Sequence, residues 1–244
     1  MELDFTRYTM SEHSPLPAGW IGDLALYNRL AMTSESLPNY FDYVQECKRR
    51  YEGQIEITAG LELDYLPGNN AYTDRLIEQW KDTLEDIVYS VHYLNGRDGI
   101  YCVDYTPDDF RTNLLSYYGT MQVVVDEYYN QVERAIEHAS AFSGRVRIGN
   151  INLIEKFASV LPPIDESQIR ERLTRLLPLL QRYNVGIDAN TAGNRVATCG
   201  KAYVPDWFIA QCRKLDIPCV YGSDAHHPDH LGLGWEWFAG IPLS

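Results

Sequence analysis

The sequence lacks several features that would assign it to a specialised class of protein. No stretch approaches about 18 uninterrupted apolar residues, so the sequence predicts no transmembrane helix. The first ten residues, MELDFTRYTM, have neither the basic start nor the apolar run of a signal peptide. The five cysteines are scattered and form no Cys-x-x-Cys pair, which favours reduced thiols in a cytoplasmic protein over a disulfide framework.

Basic residues are also scarce, with 21 lysines and arginines against 34 aspartates and glutamates. The resulting net charge of -13 argues against broad contact with nucleic acid, whose phosphates require clustered basic side chains. A small anionic substrate is still compatible with this charge, because a local cationic site can override the global field. Residues 1–244 show no evident linker or repeat and are expected to form a single domain.

Short apolar runs rich in β-branched residues alternate with longer segments of helical period. The predicted strands cover residues 7–10, 55–62, 87–94, 145–152, 185–190 and 217–224, and the predicted helices cover 73–86, 120–143, 166–183 and about 205–215. An alternating order of this kind favours parallel βαβ units. The sequence therefore predicts an α/β fold, either a barrel or an open sheet.

Most of the predicted strands end in a side chain that can bind a metal ion or form hydrogen bonds. These side chains are Glu12, His13, Glu62, Asp64, His92, Asn150, Asn152, Asn190, Asp224, His226 and His227. In a parallel barrel the carboxyl ends of the strands converge on one face, where histidines and carboxylates can assemble a divalent metal centre. A single histidine at a strand end is more often a hydrogen-bonded structural residue than a metal ligand. The hypothesis of a metal site therefore depends on the recurrence of such side chains at the ends of several strands. His138 and His230 follow no predicted strand and are interpreted as surface residues.

Six motifs carry a resemblance to a known family. TMSEHSPLP, GLELDY, SVHYLNG, IGNINLIEKF, NTAGNR and GSDAHHPDHLG occur in this order along nearly the whole chain. Together they resemble the polymerase and histidinol phosphatase (PHP) superfamily, and within it the histidinol-phosphate phosphatase branch. The resemblance implies a distorted (β/α)7 TIM-like barrel with up to three divalent metal ions (zinc, manganese or iron). It also implies hydrolysis of L-histidinol phosphate to L-histidinol, a late step of histidine biosynthesis.

The resemblance assigns roles to individual residues. The implied metal ligands are His13, Glu62, His92, Asp224 and His226, and the implied phosphate-binding groups are Arg195 and Lys156. Metal-activated hydroxide would attack the phosphate in line with the leaving alkoxide, and no residue is assigned to protonate that alkoxide. An aromatic wall for the imidazole end of the substrate could come from Tyr93, Tyr101 and Tyr105, or these residues could merely pack. The neighbours of the proposed ligands, which could orient them or be solvent-exposed, are Glu12, Asp64, His227 and Asp229.

The chain departs from the family pattern at its N-terminus. The family begins with a strand that carries a His-x-His pair, whereas MELDFTRYTM resembles the end of the first helix running into the second strand. The barrel is therefore expected to lack its first strand, either as a truncated product or as a degenerate homologue. Loss of a strand would leave two unpaired sheet edges, through which the chain could self-associate.

Asn150 and Asn152 are the second departure, because they stand where the family has a Gly-His-x-Asp pattern. An amide oxygen is a poor ligand for zinc, manganese or iron, so both are interpreted as degenerate ligand positions. We therefore predict reduced metal affinity and weak or absent phosphatase turnover. A non-catalytic protein that binds phosphorylated ligands is the alternative. The exonuclease branch of the superfamily is disfavoured by the acidic charge balance.

Overall fold

The computed structural model describes residues 4–242, and its central element is a six-stranded parallel sheet. The strands of this sheet, in spatial order, are β1 (Arg7–His13), β2 (Glu56–Asp64), β3 (Asp86–Ser90), β6 (Arg145–Ile148), β7 (Gly186–Asn190) and β8 (Cys219–Gly222). A separate antiparallel hairpin contains β4 (Tyr93–Asn95) and β5 (Ile100–Cys102). Every pair in the main sheet is parallel, as the predicted βαβ units require.

Helices connect successive strands of the main sheet, and one further helix follows β8. They are α1 (Leu24–Leu30), α2 (Leu37–Arg50), α3 (Asn70–Trp80), α4 (Pro107–Asp109), a π-helical turn (Phe110–Leu115), α5 (Ser116–Tyr118), α6 (Met121–Ala139), α7 (Glu166–Tyr183), α8 (Asp206–Lys214) and α9 (Trp235–Gly240). The two longest begin at N-caps, because the side chains of Thr120 and Asp165 accept hydrogen bonds from first-turn amides of α6 and α7. Among residues 4–242, no helix combines the length and apolar character needed to cross a bilayer.

The six predicted strands and four predicted helices are all present, and the errors lie at their ends. The predicted helix 73–86 ends at Trp80, because the Glu85 N–H instead bonds to the carbonyl of Ala59 in β2. The predicted strand 87–94 ends at Ser90, because Tyr93–Asn95 pairs within the hairpin. In both places a tertiary hydrogen bond decides where the element stops.

The core forms where the apolar faces of the helices pack on the sheet. Within α6, the stripe of Val124, Tyr128, Val132 and Ile136 is fully buried, as its spacing predicts. This stripe joins apolar side chains of the sheet and of α7 in one cluster, whose members run along the chain from Leu37 to Ile241. Burial of this apolar surface is the main favourable term in folding. The interpretation of the chain as a single domain stays a prediction.

One side of the sheet is open between β1 and β8, its two edge strands within the described residues. Residues of both edge strands line a common groove of about 1110 Å³, so the sheet curls into a half-barrel. The buried guanidinium of Arg147 lines this groove and forms ion pairs with Asp86 and Asp188. The part of the chain that the structure describes contributes six strands to the sheet, and the seven-stranded count implied by the resemblance stays a prediction.

Candidate metal centre and phosphate pocket

Three side chains from neighbouring strands converge at the carboxyl edge of the sheet. His13 ends β1, Glu62 lies near the end of β2, and His92 follows β3. Because these strands are parallel, their carboxyl ends meet at the same edge, and the β1–β2 register pairs His13 directly with Glu62. One ligand atom from each residue lies within 4.8 Å of the other two. Among residues 4–242, this is the one group of three or more His, Cys, Asp or Glu side chains that converges in this way.

Glu62 occupies the middle of this three-residue cluster. Its Oε1 lies 3.6 Å from Nε2 of His92, and its Oε2 lies 3.8 Å from Nδ1 of His13. The hydroxyl of Ser90 donates to Oε1 at 2.7 Å and thereby orients the carboxylate. Two imidazoles and one carboxylate are nitrogen and oxygen ligands suited to zinc, manganese or iron. The three residues therefore fit one divalent metal ion.

His92 is held from behind by a second carboxylate. Its Nδ1 lies 2.6 Å from Oδ1 of Asp64, and both side chains are buried. Burial alone would lower the pKa of His92, but Asp64 and Glu62 raise it to about 10. A carboxylate on one ring nitrogen fixes the imidazole and leaves the other nitrogen for the site, as is usual for metal-binding histidines. Asp64 is therefore not a solvent-exposed neighbour of the site but a buried side chain that orients the His92 ring.

Asn150 lies inside the same cluster. Its Nδ2 donates to Oε1 of Glu62 at 2.9 Å and lies 3.1 Å from Nε2 of His92. The residue lies two positions after the end of β6 and has a φ of 51°, in the left-handed region that non-glycine residues seldom adopt. Its amide group therefore contacts two of the three candidate ligands with a hydrogen-bond donor, where a metal-binding residue would offer a lone pair.

Asn190 at the end of β7 extends this contact into a chain of side-chain amides. Its Nδ2 donates to Oδ1 of Asn150 at 2.8 Å and to Oδ2 of Asp224 at 3.1 Å. Its Oδ1 accepts from the backbone N–H of Ala192, which fixes the orientation of the amide. Glu62 is thus linked to Asp224 through two neutral side chains. The strand-end position singles out Asn190 in the sequence, but no sequence signal indicates this link.

Asp224 and His226 form a pair beside the three-residue cluster. Nε2 of His226 lies 3.0 Å from Oδ1 of Asp224, and the His226 ring stacks on that of His13 with centroids 6.1 Å apart. Burial would raise the pKa of Asp224, but His226 and Asn190 lower it to about 2. The same contact raises the pKa of His226. These two implied ligands therefore lie next to the cluster but interact with each other.

Arg195 lines a pocket of about 300 Å³ beside the cluster. Its Nη2 donates to the carbonyl oxygens of Ser223 at 2.8 Å and Asp224 at 2.9 Å, which anchors the guanidinium. Its buried Nη1 has no hydrogen-bond partner among residues 4–242. A buried donor without a partner is costly, and an anionic oxygen would satisfy it. The arrangement suits a phosphate group.

Lys156, the second implied phosphate-binding group, lines the same pocket but already has a partner. Its Nζ lies 2.9 Å from Oδ2 of Asp104, which also lines the pocket. Of the three tyrosines considered as an aromatic wall, Tyr93 lines the pocket, whereas Tyr101 and Tyr105 do not. Asp104 was not predicted to belong to the site. The one feature of the sequence that indicates it is its position just after the apolar run of β5.

Asn152 is not brought to the cluster. Its Oδ1 accepts from the hydroxyl of Tyr129 at 2.7 Å, and its Nδ2 donates to Glu155. Both polar atoms of the buried amide are therefore used on the side of α6. The interpretation of Asn152 as a degenerate ligand position stays a prediction, and in this structure its side chain lies away from the pocket.

The two histidines interpreted as surface residues are placed differently. His138 is largely buried, and its two ring nitrogens lie 2.8 Å from the hydroxyl of Tyr89 and 2.9 Å from Oδ1 of Asp74. His230 lines the pocket with Arg195. The prediction that both histidines are surface residues is therefore wrong. The burial of His138 and the place of His230 in the pocket depend on tertiary contacts of a helix and a loop, and these contacts cannot be predicted from the ends of strands. The exposed neighbours Glu12, His227 and Asp229 lie outside this small pocket.

Comparison with known proteins shows the family. The sequence model of the PHP domain matches residues 1–192, and that of a PHP-associated segment matches residues 209–242. The chain belongs to the PHP domain family, as the motifs indicated. The histidinol-phosphatase of Bacillus subtilis is 30% identical over 98% of this chain and 88% of its own length. A Deinococcus radiodurans protein assigned as a histidinol-phosphatase is 26% identical over 96% of this chain and 79% of its own length.

Solved structures agree with this relationship. HisK of Listeria monocytogenes, assigned as a histidinol phosphatase, has a TM-score of 0.90 and 30% identity over 97% of this chain and 90% of that chain. HisK of Lactococcus lactis, solved with zinc, L-histidinol and phosphate, has a TM-score of 0.56 and 17% identity over 76% and 65% of the two chains. The second likeness concerns the fold alone. The chain is therefore, by family, a histidinol-phosphatase-like phosphomonoesterase with a curled parallel α/β sheet.

Proposed function

We propose that this chain is a metal-dependent phosphomonoesterase that acts weakly on L-histidinol phosphate and releases L-histidinol. The observation that supports it is the convergence of His13, Glu62 and His92 beside Arg195, whose buried Nη1 has no partner among the described residues. A guanidinium matches the geometry of a phosphate, and the three converging residues suit zinc, manganese or iron. The relatives named histidinol-phosphatase support this choice of substrate.

The residues of the site divide into a metal-binding and a phosphate-binding set. His13, Glu62 and His92 would hold one divalent ion, which when bound lowers the pKa of a water molecule and offsets phosphate charge. Asp64 would keep the His92 ring oriented with Nε2 toward the site. Arg195 would donate from Nη1 to a phosphate oxygen while its Nη2 stays anchored to backbone carbonyls.

Weak turnover is proposed because the ligand set of the described residues fits one ion better than several. Asn150 presents an amide nitrogen to Glu62, and a nitrogen of this kind has no lone pair to offer a metal. Asp224 and His226, the other two implied ligands, are bonded to each other. Binding of a further ion would have to break these contacts.

The test is phosphate release from L-histidinol phosphate by protein that is freed of metal and then supplied with zinc, manganese or iron. We expect slow, metal-dependent release that is lost in His92→Gln. His138→Gln is the matched control, because His138 is also hydrogen-bonded but lies outside the pocket. Undiminished release in a chelator would contradict the metal requirement. Metal analysis by mass spectrometry should give about one equivalent per chain, and two or more would contradict the single-ion site.

A non-catalytic protein that binds phosphorylated ligands is the second candidate. The observation in its favour is the chain of amides through Asn150 and Asn190, which satisfies the Glu62 and Asp224 carboxylates with hydrogen bonds. Calorimetry with L-histidinol phosphate in a chelator separates the candidates. Tight binding with no hydrolysis on later addition of metal favours the binding protein, and hydrolysis favours the enzyme.

We further propose a cytoplasmic protein that self-associates through its open sheet edges. The five cysteines form no disulfide, which is typical of a reducing compartment. Within the described residues, β1 and β8 each have an unpaired edge that can accept a strand from another chain. The acidic charge balance continues to disfavour nucleic acid as a partner. The expected absence of a first strand with a His-x-His pair stays a prediction.

A further inference from the structure

The small pocket contains an acidic side chain that metal and phosphate binding leave unexplained. Asp104 follows β5 and lines the pocket together with His92 and Arg195. Its side chain is 23% exposed, so it reaches the pocket from a largely enclosed position. Burial would raise its pKa, but Lys156 and His92 hold the pKa of Asp104 below its usual value. An ionised carboxylate in this place opposes the binding of an anion, and this calls for a compensating role.

The contacts of Asp104 leave it able to accept another hydrogen bond. Its Oδ2 accepts from Nζ of Lys156 at 2.9 Å, and Lys156 is the one donor to this side chain in the described part of the chain. A carboxylate has about four acceptor sites on its two oxygens, so Oδ1 is available to a ligand. The neighbouring walls include the buried ring of Tyr93 and the side chain of Leu153, which can pack against carbon atoms of a ligand.

The charges of the pocket are arranged for a ligand with two opposite ends. Arg195 has an Nη1 without a partner in the described part of the chain, which can donate to an anionic group, whereas Lys156 is neutralised by Asp104. A ligand cation that replaced Lys156 at Asp104 would free Nζ for the anionic end of the same ligand. An alkyl phosphate without a cationic group offers no such replacement, so with it Lys156 would stay paired with Asp104.

We infer that Asp104 anchors a positively charged group of the substrate, a protonated amine or an imidazolium, so that the pocket selects phosphomonoesters that carry a cationic group over those that carry none. This assignment rests on the proposed function. It makes Asp104 a specificity-determining residue that binds the end of the substrate remote from the phosphate. It also makes Lys156 a group that changes partner, from Asp104 in the free protein to phosphate in the complex.

The kinetic test compares L-histidinol phosphate with propyl phosphate, which has no cationic group. In Asp104→Asn we expect the KM for L-histidinol phosphate to rise about 10–100-fold, as expected for loss of a charge-assisted hydrogen bond. The KM for propyl phosphate should not rise and is expected to fall, because Lys156 loses its partner Asp104 and can then bind the phosphate. Most of the loss for L-histidinol phosphate should appear in KM and not in kcat. Asp104→Glu should recover part of the discrimination. An equal loss for both esters would mean that Asp104 merely positions Lys156, and would overturn the assignment.

A binding test keeps this inference separate from the proposed function. Calorimetry measures the binding of L-histidinol and, separately, of inorganic phosphate to the wild type, to Asp104→Asn and to Asp98→Asn. Asp98→Asn is the control, because Asp98 belongs to the same hairpin but does not line the pocket. We expect only Asp104→Asn to lose affinity for L-histidinol, with phosphate binding retained. If no ester is hydrolysed but this pattern is found, the proposed function fails and the inference stands. Equal L-histidinol binding by all three proteins, or none by the wild type, overturns the inference even if hydrolysis is observed.

Discussion

Nδ2 of Asn150 lies 2.9 Å from Oε1 of Glu62, so a hydrogen-bond donor faces the carboxylate at the centre of the candidate metal site. The hydroxyl of Ser90 donates to the same oxygen at 2.7 Å. With two hydrogen bonds accepted, Oε1 has less electron density to offer an ion than Oε2, which faces His13. The contact between Asn150 and Glu62 therefore favours a single ion bound through Oε2 of Glu62.

Asn150→Asp should reverse this preference, because it replaces the donor with a second carboxylate. In the absence of metal we expect the free energy of unfolding to fall by about 1–3 kcal/mol, since a buried hydrogen bond to Glu62 becomes a repulsion. With zinc, the rise in melting temperature should exceed that of the wild type, because ligand binding to the folded state stabilises it. Thermal melts with and without zinc measure both effects.

Asn152→Asp is the matched control for this variant. Asn152 is also a buried asparagine, but its amide contacts Tyr129 and Glu155 instead of the cluster. Its substitution is expected to lower stability without changing the response to zinc. If Asn150→Asp and the wild type gain the same stability from zinc, the role assigned to Asn150 is wrong.

The metal-free protein should lose stability as the pH rises from about 6.5 to about 10. The pKa of His92 is raised in the folded state to about 10 by Asp64 and Glu62, against about 6.5 for an ordinary histidine. The folded state therefore binds this proton more tightly than the unfolded state, so the stabilisation is complete below the lower value and disappears through the higher one. Each pKa unit corresponds to about 1.4 kcal/mol. We expect the stability to change by only about 1–3 kcal/mol, which is less than the full shift would give, because the amide of Asn150 near Nε2 opposes protonation.

Urea titrations in chelator across this pH range measure the effect. His92→Gln removes the titrating group and should flatten the dependence of stability on pH. His138→Gln, with a histidine outside the cluster, should keep the slope of the wild type. A steep slope that persists in His92→Gln would assign the pH dependence to another group.

The helices and strands of the fold could be predicted from the sequence where apolar residues recur with the period of the element and are buried on one face. The stripe of Val124, Tyr128 and Val132 follows a helical period, and this face is buried in α6. The end of α3 at Trp80 could not be predicted, because it depends on a hydrogen bond between Glu85 and Ala59 from another element. Local pattern specifies which residues are buried, whereas tertiary partners decide where an element ends.

The converging part of the candidate site was predictable from strand ends. His13, Glu62 and His92 each lie at or near the end of a strand of the parallel sheet, so topology brings them together. Asp104 lies in a loop, where no period relates sequence position to the pocket. Asn152 also follows a strand, and its side chain turns away because Tyr129 and Glu155 offer it better hydrogen bonds.

Arg195→Met should weaken the binding of inorganic phosphate at least about tenfold, because the variant loses the charged group of a pocket-lining residue whose Nη1 has no partner between residues 4 and 242. Lys201→Met is the control, since Lys201 forms an ion pair with Glu155 at 2.8 Å and does not line the pocket. Calorimetry in chelator with added phosphate gives both dissociation constants. Similar constants for Arg195→Met and the wild type would contradict the assignment of Arg195 to the phosphate.

The open edge of the sheet predicts where two chains would associate. Val220 in β8 is 43% exposed and lines the groove between β8 and β1, whereas Val123 in α6 is 44% exposed on a helix. If chains associate through the edge strand, Val220→Lys should weaken association at least about tenfold, because a charge on an exposed edge opposes strand pairing. Val123→Lys adds the same charge elsewhere and should leave association unchanged.

Sedimentation velocity over a range of protein concentrations distinguishes the outcomes for these two variants. Equal weakening by both substitutions would indicate a general effect of charge on an acidic protein, which screening by salt would reduce. A wild type that stays monomeric at every concentration would contradict self-association through β1 and β8. Loss of association in Val220→Lys alone would place the interface at the groove, because only this substitution alters a strand with an unpaired edge in the described sheet.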